Sequence, residues 1–138
     1  MSAASNYLEN KVLDHVLRNT SYSQPASLSV ALFLNSSGNA ATNLEAGTLT
    51  DEVGNAGGYT RKAATFAAAS SGSATTSADI TFDVCSASWG TVTHAAVMDS
   101  ATYGAGNVLF YGALTVSKSV TTGDTFKISS GQLTITLA

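Results

Sequence analysis

Cys85, His94 and Asp99 supply a nucleophile, a base and an acid within one short stretch of the chain. A Cys-His-Asp arrangement works only when the three are in hydrogen-bond contact and the thiolate is polarised. Strand spacing supports a simpler expectation. His94 shares a strand face with Val92, Ala96 and Met98, as a core or interface histidine would. Cys85 continues the alternation of Ile80, Phe82 and Val84 as a small residue at a strand end.

The remaining candidates carry less. His15 lies beside a helical apolar stripe, and no ligand spacing joins it to His94 as a metal pair. A single cysteine excludes an intramolecular disulfide and any zinc site made of several cysteines. Asp79 and Asp83 share a strand face but stand about 13 Å apart there, beyond either glycosidase spacing. They suit solvent-facing positions that discourage edge pairing. Asp51-Glu52 falls in a long loop. Gly104-Ala105-Gly106 has no phosphate-loop lysine after it and no strand-to-helix setting, so it is expected to be a turn. No catalytic residue, cofactor or metal site is expected.

Composition narrows the partners. Of the 138 residues only 11% are charged, while 44% are hydrophobic, and small neutral residues fill the difference. A typical soluble protein has about 25% charged residues. A surface of this kind lets backbones approach closely, as repeated packing in an assembly requires. Six Lys and Arg are scattered, Arg61-Lys62 is the only adjacent pair, and the net charge is −3. Nucleic-acid binding needs clustered cations and is not expected. The N-terminus lacks a signal-peptide pattern, and no apolar run approaches the ~20 residues that cross a bilayer. Neither export by the general pathway nor membrane insertion is expected. The lone cysteine fits assembly in a reducing cytoplasm.

The elements that would position these residues follow from hydrophobic rhythm. Over residues 6–18, Leu8, Val12, Leu13, Val16 and Leu17 gather on one helical stripe. Asn6 and Glu9 form a variant capping box, and Asp14 and Arg18 pair at i, i+4. Pro25 prevents continuation. A helix this short is marginal alone in water and must dock.

After Pro25 the period falls to two. Strands are expected at 28–34, with Leu28, Val30, Leu32 and Leu34 on one face, and at 59–67. Further strands fall at 79–85, with Ile80, Phe82 and Val84 inward, and at 91–98. Residues 108–118 place Val108, Phe110, Leu114 and Val116 on one face; Phe126 with Ile128, and Leu133, Ile135 and Leu137, follow. Residues 40–58 are expected to be irregular and 70–77 a turn. A loop of that length is expected to be functional or partly ordered elsewhere. The whole predicts one domain over 1–138: helix and linker over 1–24, then an antiparallel β-sandwich of jelly-roll type over 25–138.

The sequence resembles a family of small bacteriophage virion proteins, often labelled tail-fibre proteins and sometimes linked to capsid decoration. The resemblance rests on Asn6-Tyr7-Leu8-Glu9-Asn10 running to His15-Val16-Leu17-Arg18, on Gly57-Gly58-Tyr59-Thr60-Arg61, on Ser77-Ala78-Asp79-Ile80-Thr81-Phe82 and on Trp89-Gly90-Thr91-Val92-Thr93-His94. Gly112-Ala113-Leu114-Thr115, Gly123-Asp124-Thr125-Phe126 and Leu133-Thr134-Ile135-Thr136-Leu137 extend it. The stretch from Asn35 to Val53 is longer than the family pattern. The resemblance implies a non-enzymatic structural role in the virion, assembled in the host bacterial cytoplasm.

Two functions follow. The first is a capsid decoration or cement protein, expected as a homo-oligomer (a trimer by preference) bound to the major capsid protein or other virion proteins. The second is a receptor-binding module of a tail or head fibre, with contacts presented by the 35–58 loop and the Tyr103–Asn107 tip, including Tyr59 and Tyr103, which suit carbohydrate stacking. The stripe Leu8, Val12, Leu13, Val16 and Leu17 has two readings: it covers one end of the sandwich, or it is the interface for the first function, against another subunit or the capsid. Burying each side chain gains roughly 1.5–3 kcal/mol, enough in sum to set against association costs of about 4–15 kcal/mol.

Overall fold

Before Pro25 the chain forms one short strand and one helix, and after it the chain is mainly β. The computed structural model describes residues 2–137. Strand β1 (Ala3–Ala4) runs into helix α1 (Asn6–Leu17). The cap is Ser5, not Asn6. Its hydroxyl accepts from the Leu8 amide at 3.3 Å and donates to the Val108 carbonyl, so one buried side chain both starts the helix and ties it to the body.

The next elements are β2 (Ser29–Phe33), α2 (Ala40–Glu45), a 3-10 turn over Asn55–Gly57 and β3 (Lys62–Ala63). Then come β4 (Ser73–Thr75), β5 (Ile80–Thr81), β6 (Gly90–Met98), β7 (Val108–Val120), β8 (Lys127–Ile128) and β9 (Thr134–Thr136). A five-stranded antiparallel sheet has the order β1-β7-β6-β2-β3. Two two-stranded ribbons, β4-β9 and β5-β8, complete the β structure. The expected mainly β, sandwich-like fold with an N-terminal helix is present. Its second β layer consists of two separate two-stranded ribbons.

Both faces of the sheet are covered, which explains why all five residues of β2 are buried. On one face Val30, Leu32, Val92 and Ala95 pack with Tyr59, Ile80, Phe82, Trp89 and Phe126. On the other, Ala31, Phe33, Ala96, Met98 and Val108 pack with Leu44. Helix α2 therefore supplies part of a core from a stretch expected to be irregular.

Several expected strands are shorter. In 59–67 the paired residues are Lys62–Ala63 and, separately, Phe66, which bridges to Thr76, while Tyr59 and Arg61 are buried. In 79–85 only Ile80–Thr81 pairs; Val84 is 60% exposed and Cys85 takes the inward place after Phe82. The expected turn at 70–77 holds β4. Register irregularities between β6 and β7 change two expected faces. From Val92↔Lys118 to His94↔Ala113, two steps along β6 span five along β7 (118 − 113). Val92 consequently packs with Ala95 and not with Ala96 and Met98. Of the expected β7 face, Val108 lies in the second core, Leu114 packs on the first and Val116 is exposed.

Candidate functional site

No reactive group meets another at the Cys-His-Asp candidates. The sheet separates Cys85, buried in the first core, from His94, which alternates with Ala96 and Met98 on the opposite face. The Cys85 thiol donates to the Ala87 carbonyl at 3.1 Å. His94 Nδ1 lies 2.8 Å from Thr93 Oγ1, and partial burial lowers its pKa, with the Asp51 charge opposing. Asp99 accepts from the Asn107 amide and side chain at 2.6 and 2.9 Å. Asp79 pairs with Lys127 and Asp83 with Lys62 on the surface. His15 accepts from the Tyr22 amide. Among the described residues, no group of three His, Cys, Asp or Glu is placed to hold a metal ion.

A buried polar network sits instead between β2 and the β6–β7 connection. Arg61 Nε donates to Glu52 Oε1 at 2.7 Å and Nη2 to Oε2 at 2.8 Å. The two side chains are 0% and 2% exposed. The third guanidinium nitrogen, Nη1, donates to the Ser100 and Ala105 carbonyls at 2.9 and 2.7 Å. Gly104 N donates to Glu52 Oε2, and Tyr59 OH donates to Oε1 while accepting from the Leu32 amide. Burial opposes the Arg61 charge, but the hydrogen bonds and field of Glu52 outweigh it and raise its pKa. Burial and Glu52 also push the Tyr59 hydroxyl well above its usual value.

This network shapes the exposed loop Ser100–Asn107 without any apolar core of its own. Gly106 has φ +82°, and a Cβ there would lie 2.5 Å from Ser100 Cβ. Tyr103, 42% exposed, sets its ring against the edge of Tyr59 with centroids 6.3 Å apart. Tyr59 is 1% exposed, so of the two tyrosines expected as contacts it has no free face.

The helix supplies the other feature. Leu8 is buried and Val12 half-buried, whereas Leu13, Val16 and Leu17 are 54%, 70% and 73% exposed. At 3.6 residues per turn, Leu13 lies about 140° around the helix from Leu8. The apolar set is too wide for one contact: its Leu8–Val12 margin meets the body, Leu13 borders a hollow beside Thr136 and Leu137, and Val16 and Leu17 stand furthest into water.

A family model described as the podophage GP4 fiber I protein gp80 matches residues 3–136. The chain belongs to this family. It is a phage fibre protein family, and the chain is accordingly a bacteriophage virion structural protein. No curated protein matches the chain. The match to the gp80 family runs through Asn35–Val53. Sequence reasoning about this gp80-family chain missed the Glu52–Arg61 pair, because a nine-residue separation inside a loop carries no period. The one available signal was two opposite charges flanking Gly57-Gly58-Tyr59 in a chain otherwise poor in charge. No helix among the described residues is long and apolar enough to cross a membrane.

Proposed function

We propose that the chain is an assembly subunit of the phage particle that attaches through the free side of α1. The observation that carries this reading is the exposure of Leu13, Val16 and Leu17 on a helix whose opposite margin is already docked. Three large aliphatic side chains held in water on an ordered helix mark a contact surface. The partner is another virion protein, in the fibre or on the capsid. A cement role on the capsid is supported by the 11% charge content, which suits close, repeated packing. Labelling the chain in intact virions and imaging the label tests both: label at a fibre supports the first attachment, label over the shell the second. A particle without label overturns the reading.

A receptor-contact role has its own observation in the Ser100–Asn107 loop, where Tyr103 stands in solvent on a buried ion pair. Rigid aromatic groups presented this way suit a sugar face. Retention of the purified protein on host cells, abolished by Tyr103→Ala, tests this role, and equal retention of the variant would count against it.

A further inference from the structure

The segment 2–22, which carries β1 and α1, is held to the rest of the protein by little. Neither hydrophobic core contains one of its residues, and Leu8 is its one buried large apolar side chain. Its polar ties to the body all fall at one end. Strand β1 pairs with Phe110 and Tyr111, Ser5 N donates to the Leu109 carbonyl at 2.9 Å, and Ser5 Oγ donates to the Val108 carbonyl. Ser2 Oγ accepts from the Thr136 amide at 2.9 Å. The ion pairs among the described residues lie within the helix or within the body, never between them. A hollow of about 480 Å³ lies between Leu8, Val12 and Leu13 on the helix and Thr136 and Leu137 on the body. Past the helix, Thr20 and Tyr22 bond back to it, at the Asp14 carbonyl and His15 Nδ1. Residues Ser23-Gln24-Pro25-Ala26-Ser27 then make no hydrogen bond with any described residue. The chain is next held at Leu28, whose carbonyl accepts from the Ala64 amide.

We infer that residues 2–22 are a latch that lifts from the β7 edge as one unit, about Ser23–Ser27, while both cores stay folded. Local openings of this kind take the parts with few buried apolar contacts and leave the core elements closed. The unit is cooperative because of Ser5, whose side chain caps the helix and binds Val108 at once. Release of the tether is therefore also loss of the cap. A helix of this length is marginal in water, so a lifted α1 loses its amide protection along with its seat. Lifting uncovers the outer edge of β7 at Leu109–Tyr111, which β1 covers in the sheet order. It also frees Leu8 and Val12, which the closed form holds against the body. The attachment reading of α1 needs no movement of the helix, and the latch stands apart from it.

Amide hydrogen exchange of the full-length protein, read residue by residue, tests the latch. The amides of Glu9–Val12 should exchange at a rate shared with Ser5, about a hundredfold or more faster than the paired amides of β2 and β6. Ala4→Cys with Phe110→Cys joins the latch to its seat. The two face each other in a non-hydrogen-bonded pair, since Ser5 N bonds Leu109 in the next one, and Cα atoms in such pairs stand about 4.5 Å apart, within reach of a disulfide. Cys85 is buried and takes no part. Oxidised, this variant should slow Glu9–Val12 about tenfold or more relative to its own reduced form, which carries the same substitutions. Val92→Ala weakens the first core: the paired amides of β2 and β6 should exchange about tenfold faster, with Glu9–Val12 at the parental rate, because lifting leaves that core closed. Glu9–Val12 exchanging as slowly as β6 in the unmodified protein overturns the inference. So does a disulfide that leaves their rates unchanged, or a Val92→Ala variant in which both sets speed up equally.

Discussion

Glu52 and Arg61 form a two-pronged ion pair almost wholly removed from solvent, with the tip of the β6–β7 connection hanging from the third guanidinium nitrogen. Removing one partner strands the other charge in the core. Arg61→Met is expected to cost about 3–5 kcal/mol in urea unfolding. It should also speed amide exchange over residues 100–107, which lose the donor to the Ser100 and Ala105 carbonyls. Unaltered exchange there would show that the loop is held by Asp99 and Asn107 alone.

Acid should destabilise the protein in two stages. His94 has a lowered pKa in the folded state because of burial, so the unfolded chain binds the extra proton first. Stability then falls as pH drops below the ordinary histidine value of about 6.5. Asp51 is held below its usual value chiefly by the Ser37 hydroxyl, with the Ser37 amide, Ser36 and Asn43 assisting. Its contribution is present above the unfolded carboxylate pKa and is lost as pH falls through the folded one, below about pH 4. Unfolding free energies measured across the range should show both slopes. His94→Gln should remove the upper one and Asp51→Asn should reduce the lower.

Position along α1 should decide what a substitution does. Leu8→Ala opens a cavity beside Ser5 and is expected to cost about 2–5 kcal/mol. Leu17→Asp, on a side chain 73% exposed, should stay within about 0.5 kcal/mol of the parent. Chemical denaturation of the two variants measures the contrast directly. Equal losses would mean that the outer side of the helix is folded against something in the isolated chain.

These outcomes separate what period can tell from what pairing decides. Alternation located Val30, Leu32, Ile80 and Phe82 correctly, because each strand meets a core on that face. It failed for Val92, since the irregularity opposite Lys118 and Ala113 depends on β7, which local sequence does not specify. It failed again at Val84: after Phe82 N bonds to the Phe126 carbonyl, the next bond to that strand, to the Asp124 carbonyl, comes from Cys85 N, one residue late, which leaves Val84 outside. The helical stripe was legible as a set of residues, but its division into a docked and a free margin depends on Ser5 binding Val108. Glu52 and Arg61 lie outside any repeat, so their meeting is purely tertiary.

The close approach at Gly57 offers the sharpest packing test. A Cβ added there would stand 2.2 Å from the Ala87 carbonyl oxygen and 2.9 Å from Trp89 Cδ1. The carbonyl of the same glycine accepts from Trp89 Nε1 at 2.8 Å, and Trp89 in turn meets Tyr59 and Phe82 edge-on. Backbone on one side and a ring on the other leave no flexible side-chain end to yield. Gly57→Ala should therefore push the indole from its place and cost about 1–3 kcal/mol, the usual range for overpacking, plus part of a buried hydrogen bond. Gly54→Ala, with open space around it, serves as the control. Tryptophan fluorescence should shift toward that of exposed indole in the first variant only, and an unchanged spectrum with parental stability would mean that the 85–89 turn can move aside freely.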